Sequence, residues 1–207
     1  MGLVDAHQSG FKRLLQNAAY WQVAAVLVIV CCLVALLGDH GREALKYERL
    51  AIENGEYWRL LTGHFAHLGL THLVLNMAGL VLVWLLVGRC YSSWQWTAIV
   101  FVSIAAISGG FWFFDTHMLW YVGLSGVLHG LLLAGALPGL RSYQAESVII
   151  CVIVAGKLAW EQLAGPLPGS ESVSGGDVVV NAHLFGAIGG VAGAAIFWRS
   201  AAGQRSI

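Results

Sequence analysis

The sequence predicts an all-α polytopic membrane protein with six spanning helices. Of its residues 58% are hydrophobic and only 11% charged, and the mean hydropathy of +0.72 is far above what keeps a soluble domain's surface wet. Six apolar stretches, at about 20–37, 68–87, 94–114, 124–140, 148–163 and 179–198, each approach the roughly 20 residues that a bilayer-spanning helix needs. Between them, Lys12, Arg13, Arg89, Arg141, Arg199 and Arg205 all fall on one side of such a bundle.

The first stretch follows Lys12 and Arg13 as a signal peptide would, but it is long enough to span, and no A-x-A-like site follows Leu37. It reads as an uncleaved signal anchor. Residues 38–67 form a first outer loop of mixed charge with Trp58 beside Arg59, as expected of a structure lying on the bilayer interface. The third and fifth loops lack Lys and Arg, so the positive-inside rule puts both termini in the cytoplasm. Repeats, low-complexity tracts and linkers are missing from the sequence, which predicts one domain over 1–207.

Lys plus Arg (11) equals Asp plus Glu (11), so the basic excess of a nucleic-acid-binding protein is missing and nucleic acid is set aside as a partner. Cys31, Cys32, Cys90 and Cys151 sit in or beside apolar runs, and a disulfide framework is not indicated.

With this topology the even-numbered helices run inward from the outer face, and their first turns share one depth. That layer receives His67, His72 and Asn76 from the second stretch, Ser125 from the fourth and His183 from the sixth. Polar side chains are costly at that depth unless paired or facing a wet cavity. A serine hydroxyl, an imidazole to take its proton and donors for an oxyanion are what acyl transfer requires. Ser125 lies in Gly123-Leu124-Ser125-Gly126, where glycines allow a crowded helix entry and unpaired first-turn amides surround the hydroxyl. Taken alone, Ser125 reads more readily as an ordinary N-cap serine, and His183 could be a packing residue or a haem ligand.

The two are linked by small-residue stripes. Gly126, Gly130 and Ala134 recur at four-residue spacing after Ser125, and Gly186, Gly190 and Ala194 do so after His183. Such stripes let helices approach closely in lipid, which would bring Ser125 and His183 together one turn above the contact. His72 and Asn76 share a helix face and both can donate to an oxyanion beside the Ser125 N–H; otherwise Asn76 bridges helices with His72 as its neighbour.

These residues resemble the signatures of the rhomboid intramembrane proteases. Trp58-Arg59 with His67, His72 and Asn76 is similar to the family's first-loop and second-helix pattern, Gly123-Leu124-Ser125-Gly126 to its nucleophile motif, and Ala182-His183-x-x-Gly186-x-x-x-Gly190 to its general-base helix. The resemblance implies a six-helix rhomboid fold in a bacterial inner membrane, with the site opening to the periplasmic side. It also implies a Ser125–His183 dyad without a third acid, and an oxyanion site including His72, Asn76 and the Ser125 amide. Many rhomboids carry an aromatic residue four positions after the nucleophile, where this chain has His129. Ser125-Gly-Val-Leu-His129-Gly, with Lys157-Leu-Ala-Trp-Glu161-Gln, looks like the rhombosortase branch, which implies substrates whose C-terminal anchor helix follows a Gly-Gly pair.

His129 could stack on His183, hydrogen-bond to it or tune it, or serve as a plain aromatic replacement. Lys157 and Glu161, four apart, either pair on their helix or stand at a substrate entry. His64 and His67 could line a water-accessible mouth or anchor the interface. No metal or other cofactor is expected, and the H-E-x-x-H pairing of zinc proteases does not occur. The expected partners are lipid and a transmembrane substrate. Competing readings are a general rhomboid protease with other single-pass substrates, a catalytically dead relative that binds transmembrane clients, and a haem protein using His72, His129 and His183.

Overall fold

Each of the six apolar stretches forms a helix in the computed structural model, which describes residues 18–141 and 144–198. Lys12, Arg13, Arg199 and Arg205, which carry most of the expected charge asymmetry, lie outside the described residues. Helix α1 (Ala18–Leu36) bends by 115° into α2 (Gly38–Leu45). Strand β1 (Tyr47–Glu48), α3 (Arg49–Glu53) and α4 (Arg59–Thr62) follow. Then come α5 (Leu70–Val87), a 3-10 turn at Gly88–Cys90 and α6 (Ser93–Phe113). Strand β2 (Trp120–Tyr121) leads to α7 (Ser125–Leu140), α8 (Ala145–Ala164), α9 (Ser170–Ser174) and α10 (Val180–Ile196).

By length and composition, Leu70–Cys90, Ser93–Phe113 and Ala145–Ala164 can cross a membrane, and the bent pair α1–α2 makes a fourth if it counts as one span. Helices α7 and α10, at 16 and 17 residues, are apolar but shorter. The sequence expectation of six comparable spans therefore differs from the structure in length, and the two short helices are those that carry Ser125 and His183.

Helix α7 is the centre of the bundle, packed against α5, α6, α8 and α10. Its contact with α10 uses both predicted stripes. A Cβ on Gly186 would overlap the Gly126 carbonyl, and one on Gly190 the Gly130 carbonyl. Only hydrogen fits at these positions, so the helix backbones lie against each other. Trp84, Trp96, Ile99 and Leu131 fill the core beside this seam.

The first loop is a folded unit of α2, β1, α3 and α4. The buried Arg59 donates to the Glu43 and Lys46 carbonyls at 2.7 and 3.0 Å and pairs with Glu56 at 2.6 Å. Arg49 donates to the carbonyls of Phe111, in the last turn of α6, and of Asp115 and Met118 in the loop that follows. Strands β1 and β2 pair antiparallel, Tyr47 opposite Tyr121 and Glu48 opposite Trp120, which ties this loop to the segment entering α7.

Candidate active site

The turn into α7 requires glycine at Gly123. Its φ is +127°, a conformation that L side chains rarely adopt, and a Cβ there would press on the His72 ring. The Gly123 N–H donates to the Gly63 carbonyl at 3.1 Å, and the Tyr121 hydroxyl donates to the Gly123 carbonyl at 2.6 Å. Tyr121 also interacts with the Ser125 side chain and the Gly126 amide, while burial pushes its phenol up, keeping it protonated and a donor. Held in this way, Ser125 opens α7 with its hydroxyl at the helix N-terminus.

The Ser125 Oγ lies 3.0 Å from His183 Nε2. On the far side of the imidazole, His183 Nδ1 is 2.9 and 3.1 Å from the two carboxylate oxygens of Glu161. The resemblance implies a pair without a third acid; here an acid is present, because α8 turns Glu161 inward until only 3% of it is exposed. Lys157, one turn earlier, pairs with Glu161 Oε1 at 2.5 Å and comes within 3.3 Å of His183 Nδ1. Lys157 and Glu161 pair on their helix, as one of the two expectations has it, and both also line the cavity beside Ser125, with Glu161 facing His183.

The His129 and His183 rings stack, with centroids 4.2 Å apart and 22° between planes. His129 Nδ1 is 2.8 Å from the Ser125 carbonyl, which can only accept, so Nδ1 carries the proton. On α5, the Leu68 N–H donates to His72 Nδ1 at 3.3 Å, which leaves the neutral His72 with its proton on Nε2, the nitrogen nearest Gly123. Asn76 donates one amide hydrogen to the His72 carbonyl at 3.0 Å and has a second to offer. His72, Asn76, Ser125, His129, Lys157 and His183 line one cavity of about 320 Å³.

His64 and His67 do not line that cavity. His64 is fully buried and donates from Nε2 to the Ser108 hydroxyl at 3.0 Å, which in turn donates to the Leu60 carbonyl at 2.6 Å. Burial lowers its pKa to about 4. His67 donates from Nδ1 to the Phe65 carbonyl, and burial, reinforced by neighbouring His72, lowers it to about 4 as well. Both are neutral packing residues at pH 7, buried because the first loop folds over them.

Tyr121 is a site residue that sequence reading missed, since a tyrosine in a short loop carries no motif. Among the described residues, no cluster of three or more His, Cys, Asp or Glu side chains could hold a metal ion. His183 is also poorly disposed as a haem ligand, with both ring nitrogens engaged and one face covered by His129.

A helical protein with apolar spans, built around a hydroxyl, an imidazole and convergent donors, is equipped for acyl transfer inside a membrane. The Rhomboid domain family model matches residues 54–200, and the chain belongs to the rhomboid family. Members of that family are intramembrane serine proteases that act on transmembrane substrates within lipid membranes. No curated protein matches the sequence at a significant level.

Proposed function

We propose that this protein is an intramembrane serine endopeptidase in which Ser125 is the nucleophile and His183 the general base. The observation that carries the proposal is the 3.0 Å contact between Ser125 Oγ and His183 Nε2 inside a cavity that also holds His72 and Asn76. That distance is within the reach needed for proton transfer as the hydroxyl attacks.

A substrate helix enters from the side and unwinds, presenting a carbonyl to Ser125. Its Oγ bonds to the carbonyl carbon while the hydroxyl proton passes to His183 Nε2. The Ser125 amide, His72 Nε2–H and the Asn76 amide stabilise the oxyanion. His183 then gives the proton to the leaving amine, and water releases the acyl-enzyme by the reverse use of the same base. Gly123, Gly126, Gly186 and Gly190 support this geometry, the first through its backbone conformation and the others through close helix approach.

The proposed substrates are secreted or surface proteins with a C-terminal anchor helix preceded by a Gly-Gly pair, as in rhombosortases. His129 at the position four after Ser125, stacked on His183, supports this branch, and glycines would unwind readily at the cleft. The whole chain is proposed to form one membrane domain of six spans in a bacterial inner membrane. Both termini lie in the cytoplasm and the site opens to the periplasmic face.

The test is labelling of purified protein with a fluorophosphonate. The parent should be labelled and should release the fragment of an anchored fusion, whereas Ser125→Ala and His183→Ala should do neither while remaining folded. Cleavage by Ser125→Ala would end the proposal.

A further inference from the structure

We propose that Glu161 is a positioning residue that holds His183 in the tautomer able to act as base, and that Lys157 fixes how Glu161 presents its carboxylate. The inference rests on the reading of Ser125 and His183 as nucleophile and base. It is carried by a line of contacts through three helices: Ser125 Oγ to His183 Nε2 at 3.0 Å, His183 Nδ1 to Glu161 Oε2 at 2.9 Å, and Glu161 Oε1 to Lys157 Nζ at 2.5 Å.

Two groups compete for His183 Nδ1. Lys157 Nζ, 3.3 Å away, can only donate and would need Nδ1 bare. That choice would put the proton on Nε2, and the imidazole could not then take one from Ser125. It would also set a bare nitrogen against a buried carboxylate at 2.9 and 3.1 Å, with lone pairs facing each other. The opposite choice gives a charge-assisted Nδ1–H bond to Glu161, roughly twice as strong as a neutral one, and leaves Nε2 open to Ser125. Lys157 is already matched by Glu161 Oε1, its nearer partner. Among the described residues, the other ionisable groups around the imidazole are His129 on α7, stacked on it, and His72 on α5, Tyr121 and Asp177, which line the same cavity.

During attack, the Ser125 proton moves to Nε2 as the Oγ–carbon bond forms, and the imidazolium keeps its second proton on Nδ1 beside the carboxylate. When the C–N bond breaks, the Nε2 proton goes to the leaving nitrogen. Glu161 stays ionised throughout and touches no reacting atom, its part being to orient the ring and lower the energy of the imidazolium.

Glu161→Gln is the discriminating variant because it keeps the shape. Lys157 would hold the new carbonyl oxygen, since an ammonium needs an acceptor, and the NH2 would then face Nδ1 and force the proton onto Nε2. We expect kcat to fall by up to about 10,000-fold, the loss that follows when the acid of a serine–histidine–acid site becomes its amide and the imidazole takes the wrong tautomer, with KM within about threefold and the melting temperature near the parent's. Glu161→Asp should retain more activity than Glu161→Gln. The double variant Lys157→Met, Glu161→Gln frees the amide to turn its oxygen to Nδ1, and it should recover at least tenfold over Glu161→Gln.

A merely structural Glu161 would give equal losses in all three variants, and that result overturns the proposal. Parental kcat in Glu161→Gln beside an inactive Ser125→Ala overturns the role of Glu161 alone. An active Ser125→Ala overturns both this and the reading beneath it.

Discussion

His129 covers one face of His183 and, from the same ring, bonds the carbonyl of Ser125: the stack is 4.2 Å and the hydrogen bond 2.8 Å. One side chain thus fixes the base in space and the backbone of the nucleophile. Edge or stacked ring pairs are worth about 0.5–1.5 kcal/mol beyond the area they bury. His129→Ala should therefore lower kcat/KM by roughly 2- to 10-fold, and His129→Phe, which restores the ring but not the hydrogen bond, should recover part of the loss. Steady-state cleavage of an anchored fusion by the two variants measures this directly.

His72→Ala and Asn76→Ala should lower kcat more than they raise KM, because oxyanion donors act mainly in the transition state; each is typically worth about 2.7–4 kcal/mol. Asn76 is buried and bonds the His72 carbonyl, so its variant should also melt earlier, whereas half-exposed His72 should not. Parental turnover in both would mean that the oxyanion is held elsewhere.

Gly190→Leu is expected to cost activity and thermal stability together. The added side chain would drive into the Gly130 backbone, separating α7 from α10 and drawing Ser125 away from His183. Thermal melts and fluorophosphonate labelling of the same preparation give the two readings. Full activity at full stability would place this face against lipid.

Acid should destabilise the protein through His64. Its folded pKa of about 4 lies below the ordinary 6.5, so the unfolded chain binds the extra proton between those values. Stability is then level above about pH 6.5, falls as the pH drops to about 4, and levels again, for a loss of about 3 kcal/mol. His67, lowered to the same value, adds a loss of the same sign. Melting in detergent across this range should show a shallower acid limb in His64→Asn, which can still bond Ser108. An unchanged limb would refute the assignment.

A fusion whose anchor is preceded by Gly-Gly should be cut faster than one with both glycines changed to alanine. Equal release of the two fragments would remove the rhombosortase assignment and leave the general protease reading in place.

The positions of the helices and the approach of Ser125 to His183 were legible because each residue heads a stripe of small residues, and a stripe states which face must meet another helix. Glu161 was harder to read. Its spacing from Lys157 already satisfied it locally, and its second contact depends on how α8 leans on the bundle, which no periodicity encodes. Tyr121 lies in a strand of two residues, too short for alternation to register. The burial of His64 and His67 was hidden for a related reason: the covering loop is held by Arg49 and Arg59 reaching distant backbone carbonyls, and such bonds leave no trace in composition.

The shortness of α7 and α10 has a consequence for the lipid. Sixteen residues rise about 24 Å, against a hydrocarbon core of about 30 Å. Helix α7 is enclosed by its neighbours, so it is α10, one residue longer and with Ile188, Val191 and Ile196 exposed, that leaves a deficit of a few ångströms along the wall where the bundle meets lipid, and a bilayer answers such mismatch by thinning. An anchor helix matched to the surrounding membrane would lose its hydrocarbon cover on arriving at that wall. Water would then reach its end turns, loosening the backbone before any side chain of the protein had touched it.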